Sequence, residues 1–238
     1  MARDTLVVIP AFNEEESVDN VIQRTMAAGF DCLVVDDGSR DRTALVARDA
    51  GARVVRMPFN VGIGGALRCG FRWAVEHGYQ RVVQCDADGQ HSPELIANLV
   101  DMQKSTGGHL VIGSRFLAHD NYTVSVARGW LMRRMARLAS NAVGSKLTDT
   151  TSGFRCIAEP LLSEFAHEYP AEYMESFEAL MVAADAGYKV IEVPVQMSHR
   201  IAGVPSNRRL RAAGFTLRAL LGSLLGTRFT INKFAEDQ

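Results

Sequence analysis

Thr5-Leu6-Val7-Val8-Ile9-Pro10-Ala11-Phe12-Asn13-Glu14-Glu15-Glu16 opens the chain with a short β-branched run that Pro10 closes. A helical pattern follows, and then Cys32-Leu33-Val34-Val35-Asp36-Asp37-Gly38-Ser39 repeats the run, closed this time by acid and glycine. Strand, helix, strand with polar residues at each strand end is the signature of a parallel α/β unit. Working outward, strands are expected at residues 5–9, 32–36, 53–56, 81–85 and 110–113. Helices are expected at 14–28, 41–50, 64–77 and 93–104. This alternation predicts an α/β fold, a mostly parallel central sheet with helices on both faces. In such sheets ligands sit beyond the carboxyl ends of the strands, so the polar residues there are the candidates.

The 238 residues carry 26 Lys+Arg against 27 Asp+Glu, which argues against nucleic-acid binding by bulk electrostatics. Cys32, Cys69, Cys85 and Cys156 are scattered without metal-ligand spacing, which fits a reduced, cytoplasmic setting. The first residues are too short and too acidic for a signal peptide, and no window holds the roughly 18 apolar residues of a membrane span. The charge is nevertheless uneven. Residues 121–148 and 193–235 contain no acid, while Arg128, Arg133, Arg134, Arg137 and Lys146 fall in the first stretch. Arg200, Arg208, Arg209, Arg211, Arg218, Arg228 and Lys233 fall in the second. Apolar residues at helical spacing over 210–229 make that segment an amphipathic helix, suited to the protein's own core or to a membrane surface.

Each strand end carries its own signal. Asn13 is placed to cap the helix after the first strand, with Glu15 and Glu16 favouring the positive helix end, whereas Glu14, nearest the strand end, is a candidate acceptor of hydrogen bonds from a base or ribose. Of Asp36 and Asp37, Asp37 is taken as the ligand-facing member, and Asp41 as a helix cap. The glycine-rich connection Phe59-Asn60-Val61-Gly62-Ile63-Gly64-Gly65 is neither a dinucleotide fingerprint, because Leu67 stands where the last glycine belongs, nor a P-loop. Asp86-Ala87-Asp88-Gly89-Gln90-His91 follows the fourth strand. Two carboxylates one residue apart at a strand end reach one hard cation, Mg²⁺ or Mn²⁺, and leave positions open for substrate phosphates. Gln90 adds a carbonyl oxygen and His91 an imidazole; Ser92 precedes a helix start at Pro93.

These motifs, with Gly113-Ser114-Arg115-Phe116, Asp149-Thr150-Thr151-Ser152-Gly153-Phe154-Arg155 and Glu192-Val193-Pro194-Val195, occur in an order that resembles glycosyltransferase family 2. The similarity is to the branch of dolichol-phosphate mannose synthase and bacterial polyprenyl-phosphate glycosyltransferases, and it spans residues 5–206. It implies a GT-A fold in a catalytic domain over 1–206, with 207–238 a basic amphipathic extension. It also implies an inverting transfer of a hexose from a GDP-mannose or UDP-glucose type donor, with a divalent cation. By the same resemblance Pro10, Phe12, Glu14, Asp37, Ala87, Gln90 and Arg200 bind the donor, Phe12 standing where tyrosine is more usual. Asp86, Asp88 and Gln90 hold the metal, Arg115 and Arg200 meet phosphate groups, and Arg128 and Arg133 lie near the acceptor. Asp86, Asp88 and Arg115 thus form the catalytic set. One departure is that Pro205 and Ser206 stand where the family places a lysine contact, a role left to Arg208 or Arg209.

A polyprenyl phosphate acceptor is already ionised at neutral pH and needs orientation rather than a base, and the two arginine-bearing stretches suit it. A soluble or saccharide hydroxyl acceptor would need a base, for which Asp149 and His91 are the candidates. The lipid route expects a peripheral position on the inner membrane face, docked through 208–233 or through a small membrane protein partner.

Overall fold

A computed structural model describes residues 4–117, 126–170 and 175–197. The strands are β1 (Thr5–Ala11), β2 (Asp31–Asp36), β3 (Arg53–Arg56), β4 (Arg81–Gln84), β5 (Leu110–Ser114), β6 (Arg155–Ala158) and β7 (Val190–Pro194). The helices are α1 (Val18–Ala27), α2 (Thr43–Asp49), α3 (Ile63–Glu76), α4 (Ile96–Thr106), α5 (Val126–Val143), α6 (Leu161–His167) and α7 (Glu175–Asp185). The seven strands form one sheet in the order β3-β2-β1-β4-β6-β5-β7. β6 runs antiparallel to both its neighbours and every other pairing is parallel.

Alternation along the strands divides the core in two. Leu6 and Val8 face one side with Leu67 and Phe71 of α3, Met135 of α5, Leu161 of α6 and Phe177 of α7. Val7, Ile9 and Ala11 face the other, with Val21 and Ile22 of α1, Ala47 of α2 and Leu99 of α4. This period of two against two helical layers is the arrangement the sequence predicts. α3 crosses the sheet closely: a Cβ on Gly70 would lie 2.5 Å from Val8 Cγ1, so glycine sets that approach.

Three helix starts differ from expectation. α1 begins at Val18 rather than at residue 14, because Glu14 to Ser17 form a turn in which the Ser17 and Val18 N–H groups donate to the Glu14 carbonyl. Asn13 does not cap α1. It adopts φ 56°, donates its N–H to Ser39 Oγ and accepts the Arg40 N–H on Oδ1, pinning the β1 end to the β2 end. Asp41 lies two residues before α2, whose N-cap position is Arg42, yet its Oδ1 accepts the Thr43 N–H at 3.0 Å. Pro93–Leu95 form a separate 3₁₀ turn before α4, and Ser92 makes no side-chain cap.

Candidate active site

From β1 the chain steps outward through β2 to β3 and then returns to the opposite side of β1 as β4. The strand order reverses between β1 and β4, and the crevice beyond their carboxyl ends is where such sheets hold ligands. The loops at that point carry Pro10 to Glu14 and Asp86 to His91.

On the β1 and β2 side, a hydrogen-bonded frame shapes the crevice. The Asp37 N–H donates to the Ala11 carbonyl at 2.8 Å. The Asp37 carboxylate accepts the Val61 and Gly62 N–H groups at 2.8 and 2.9 Å, holding the glycine-rich connection against the β2 end. Burial pushes the Asp37 carboxyl up, against the pull of these two bonds. Asp36 is fully buried, accepts the Ser39 N–H and pairs with Arg56 Nε at 3.3 Å. Gly38 is obligatory here: at φ +71° an added Cβ would meet the Phe59 and Asn60 backbone at 2.8–3.0 Å. Phe12, Phe59 and Ile63 remain exposed around this frame. Glu14 donates its N–H to Thr43 Oγ1 and accepts the Ser17 hydroxyl at 2.7 Å.

On the β4 side, Asp88 is buried and accepts the Gln90 N–H on Oδ1 at 2.9 Å. The Asp86 side chain is 33% exposed at the crevice. Ala87 between them is buried, and Gly89 takes φ +77° to turn the loop. Gly153 lies against this carboxylate: a Cβ there would come within 3.3 Å of Asp86 Oδ1 and 3.2 Å of Gln84 Nε2. Among the described residues no three His, Cys, Asp or Glu side chains form a ready-made cation cage. Two carboxylates with open positions still fit a hard cation that takes its remaining oxygens from substrate phosphates and water.

Beside this loop stands a buried ion pair. Arg115 Nε and Nη2 donate to the two Asp149 oxygens at 2.6 and 2.7 Å, and Nη2 also donates to Thr151 Oγ1. Glu192 in turn accepts the backbone N–H groups of Thr148 and Asp149, so β7 fixes the segment that fixes Arg115. Asp149 loses solvation on burial, but the Arg115 bonds outweigh that cost and hold its carboxyl below the usual range. Neither base candidate is free to act as one. Asp149 is a committed anion, and the His91 Nδ1 lone pair is already used by the Asp86 N–H at 3.0 Å.

Sequence reasoning missed a buried polar group under the crevice. Arg155 is buried and ties three carbonyls, those of Thr150, Ser152 and Ser176. Glu175 starts α7, accepts the Ser176 hydroxyl and is raised mainly by burial, with Asp86 pushing further. Gln84 is fully buried, and neither of its side-chain polar atoms has a hydrogen-bond partner among the described residues. Arg155 and Glu192 lay inside quoted motifs, whereas Glu175 carried no local signal. Arg200 and the extension 207–238 lie outside the described residues, as does the Arg128 side chain.

A cavity of about 1080 Å³ adjoins the ion pair, between α5 and residues 144–148. Arg133, Arg137 and Lys146 supply its charge and Phe116, Met132 and Leu147 its apolar wall. It contains no acid among its lining residues.

Comparison with known proteins identifies the family. The family profile described as Glycosyl transferase family 2 matches residues 6–164. The polyprenol monophosphomannose synthase of Mycolicibacterium smegmatis is 31% identical over 230 residues, covering 89% of this chain and 84% of that protein. The undecaprenyl-phosphate mannosyltransferase of Micrococcus luteus is 32% identical over 213 residues, covering 83% of this chain and 85% of that protein. Among solved structures, glucosyl-3-phosphoglycerate synthase from Mycobacterium tuberculosis, in complex with Mn²⁺, UDP-glucose and phosphoglyceric acid, superposes with a TM-score of 0.67. It is 26% identical and the match covers 94% of this chain and 79% of that one.

Proposed function

The chain belongs to glycosyl transferase family 2, and from that premise we propose that it moves a hexose from a nucleoside diphosphate sugar to a polyprenyl phosphate. It is a glycosyltransferase with the GT-A fold, and its relatives include enzymes named for polyprenol and undecaprenyl phosphate. The donor is of the GDP-mannose or UDP-glucose type. In this reading the base lies against Phe12 and the loop that Asp37 holds, and the diphosphate lies at Asp86 and Asp88. A bound Mg²⁺ or Mn²⁺ would supply Lewis-acid stabilisation of the departing diphosphate. Asp86, Asp88 and Gln90 orient that end of the donor, while Arg115, held by Asp149, presents positive charge beside it.

The observation that carries the acceptor is the cavity beside Arg115. Its three cations suit a phosphate monoester and its apolar wall suits the first isoprene units. An ionised phosphate attacks without a general base, in keeping with the commitment of Asp149 and His91. Arg128, Arg200 and the extension 207–238 complete the proposal as acceptor, donor and membrane contacts. In this reading the enzyme works at the inner membrane face, alone or with a small membrane protein. No helix among the described residues is long and apolar enough to cross a membrane.

The solved neighbour bound to phosphoglyceric acid favours a second reading, a soluble phosphorylated acceptor attacking through a hydroxyl. That reaction needs a general base, the role for which Asp149 and His91 are the candidates. Radiolabelled GDP-mannose and UDP-glucose, offered with Mn²⁺ to the purified chain and either undecaprenyl phosphate or phosphoglyceric acid, separate the two. Label extracted into organic solvent supports the lipid acceptor. Label confined to a water-soluble product overturns it.

A further inference from the structure

His91 is held by its own loop and by two remote segments. Its Nδ1 accepts the backbone N–H of Asp86 at 3.0 Å. Its Nε2 lies 3.6 Å from Asp86 Oδ2, longer than a hydrogen bond but close enough to steer the carboxylate. The ring stacks on Phe154, just before β6, with centroids 5.1 Å apart. The His91 backbone bridges Met197, beyond β7. The side chain is 2% exposed, so the ring stays in this slot.

A ring nitrogen that accepts an N–H carries no proton. The neutral ring therefore holds its proton on Nε2, directed toward the Asp86 carboxylate. The Nδ1 lone pair is then engaged by the Asp86 N–H while Nε2–H lies near the carboxylate of the same residue, and no lone pair is left for an ion. Gly153 closes the other flank of the same carboxylate, where a side chain would crowd Asp86 and Gln84. Carboxylates that bind cations need such support to keep one orientation before the ion arrives.

We propose that His91 is a positioning residue: as the Nε2–H tautomer it holds Asp86 in its cation-binding orientation and does not itself bind the ion. The assignment rests on the reading of Asp86 as a cation ligand.

Two measurements on the full chain test this. Nitrogen-15 spectra of the metal-free protein at pH 7 should show His91 with its proton on Nε2; a proton on Nδ1 overturns the proposal. Electron paramagnetic resonance titrations then compare Mn²⁺ binding to wild type, His91→Asn and His91→Phe, each with UDP or GDP. Asparagine keeps an acceptor near the Nδ1 position but nothing near Nε2, and phenylalanine fills the slot with neither. Mn²⁺ affinity should fall about tenfold in His91→Asn and further in His91→Phe, with metal-free nucleotide affinity unchanged. Equal Mn²⁺ affinity in wild type and His91→Asn overturns the role of His91 alone, and decides the matter should His91→Phe fail to fold. Hyperfine coupling from the His91 ring to bound Mn²⁺ also overturns it. A wild type that binds no Mn²⁺ with either nucleotide overturns the reading of Asp86 as well.

Discussion

Asp86 and Asp88 stand in different surroundings at the β4 end, Asp86 partly open to solvent and Asp88 buried with the Gln90 N–H on its Oδ1. Replacing Asp88 by Asn keeps the shape and removes the charge. Transfer should fall by about 10²–10³-fold, the scale of losing a main transition-state charge contact, with the melting temperature little changed. Radiolabel transfer assays alongside thermal melts measure both. Gly153→Ala tests the opposite flank. Its Cβ would sit 3.2–3.4 Å from Gln84 and Asp86, so these side chains must give by a few tenths of an ångström. A cost of about 1–2 kcal/mol in urea unfolding is expected, together with weaker donor binding. Unchanged donor affinity by calorimetry would show that the carboxylate tolerates the shift. The carboxylate pair was legible because its spacing at a strand end is local. The place of His91 was not, since Phe154 and Met197 reach it only through the fold.

α5 supplies one wall of the cavity, and Arg133 and Arg137 lie on it one helical turn apart. Arg133→Ala should raise the lipid-acceptor KM about tenfold, the effect of losing one charge-assisted contact, and leave donor affinity as it was. Steady-state assays varying each substrate in turn distinguish this from a general loss of activity. The segment 148–151 fixes Arg115 through Asp149. Asp149→Ala leaves that guanidinium buried without its carboxylate and should destabilise the chain by about 3–5 kcal/mol, read by urea unfolding. Elements of the first half were legible because each strand–helix unit is short and closed by its own turn residues. β6 was not. Its four residues are all buried, with a charged arginine among them, so neither alternation nor hydropathy marks it as a strand. Its antiparallel course is set by the strands it enters between. The helix starts slipped because Asn13 and Glu14 serve the β1–β2 frame rather than α1, a partnership across 26 to 29 residues.

As a whole, the molecule brings its candidate carboxylates to one topological reversal, and its titration carries a trace of that packing. Burial lowers His91 from 6.5 to about 4. The unfolded chain therefore takes up a proton that the folded chain refuses, so this contribution is full above pH 6.5 and disappears as pH falls to about 4. The loss is about 3 kcal/mol. Asp149, held low by Arg115, acts in the same direction at lower pH. Asp37, Glu175 and Glu192, raised by burial, act in the opposite direction. The difference between variants isolates the histidine: His91→Asn should lose about 3 kcal/mol less than wild type between pH 7 and pH 4 in urea melts. Parallel curves would mean that the folded ring takes a proton freely. The strand-end motifs made the family and the crevice legible, while the cavity beside α5 was foreshadowed only by a stretch of arginines without acid. The most direct test of the account is calorimetric titration of UDP and GDP into wild type and Asp88→Asn, with Mn²⁺ and with EDTA. Nucleotide should bind tightly only where both Mn²⁺ and Asp88 are present. Binding of equal strength in EDTA, or in the variant, would contradict it.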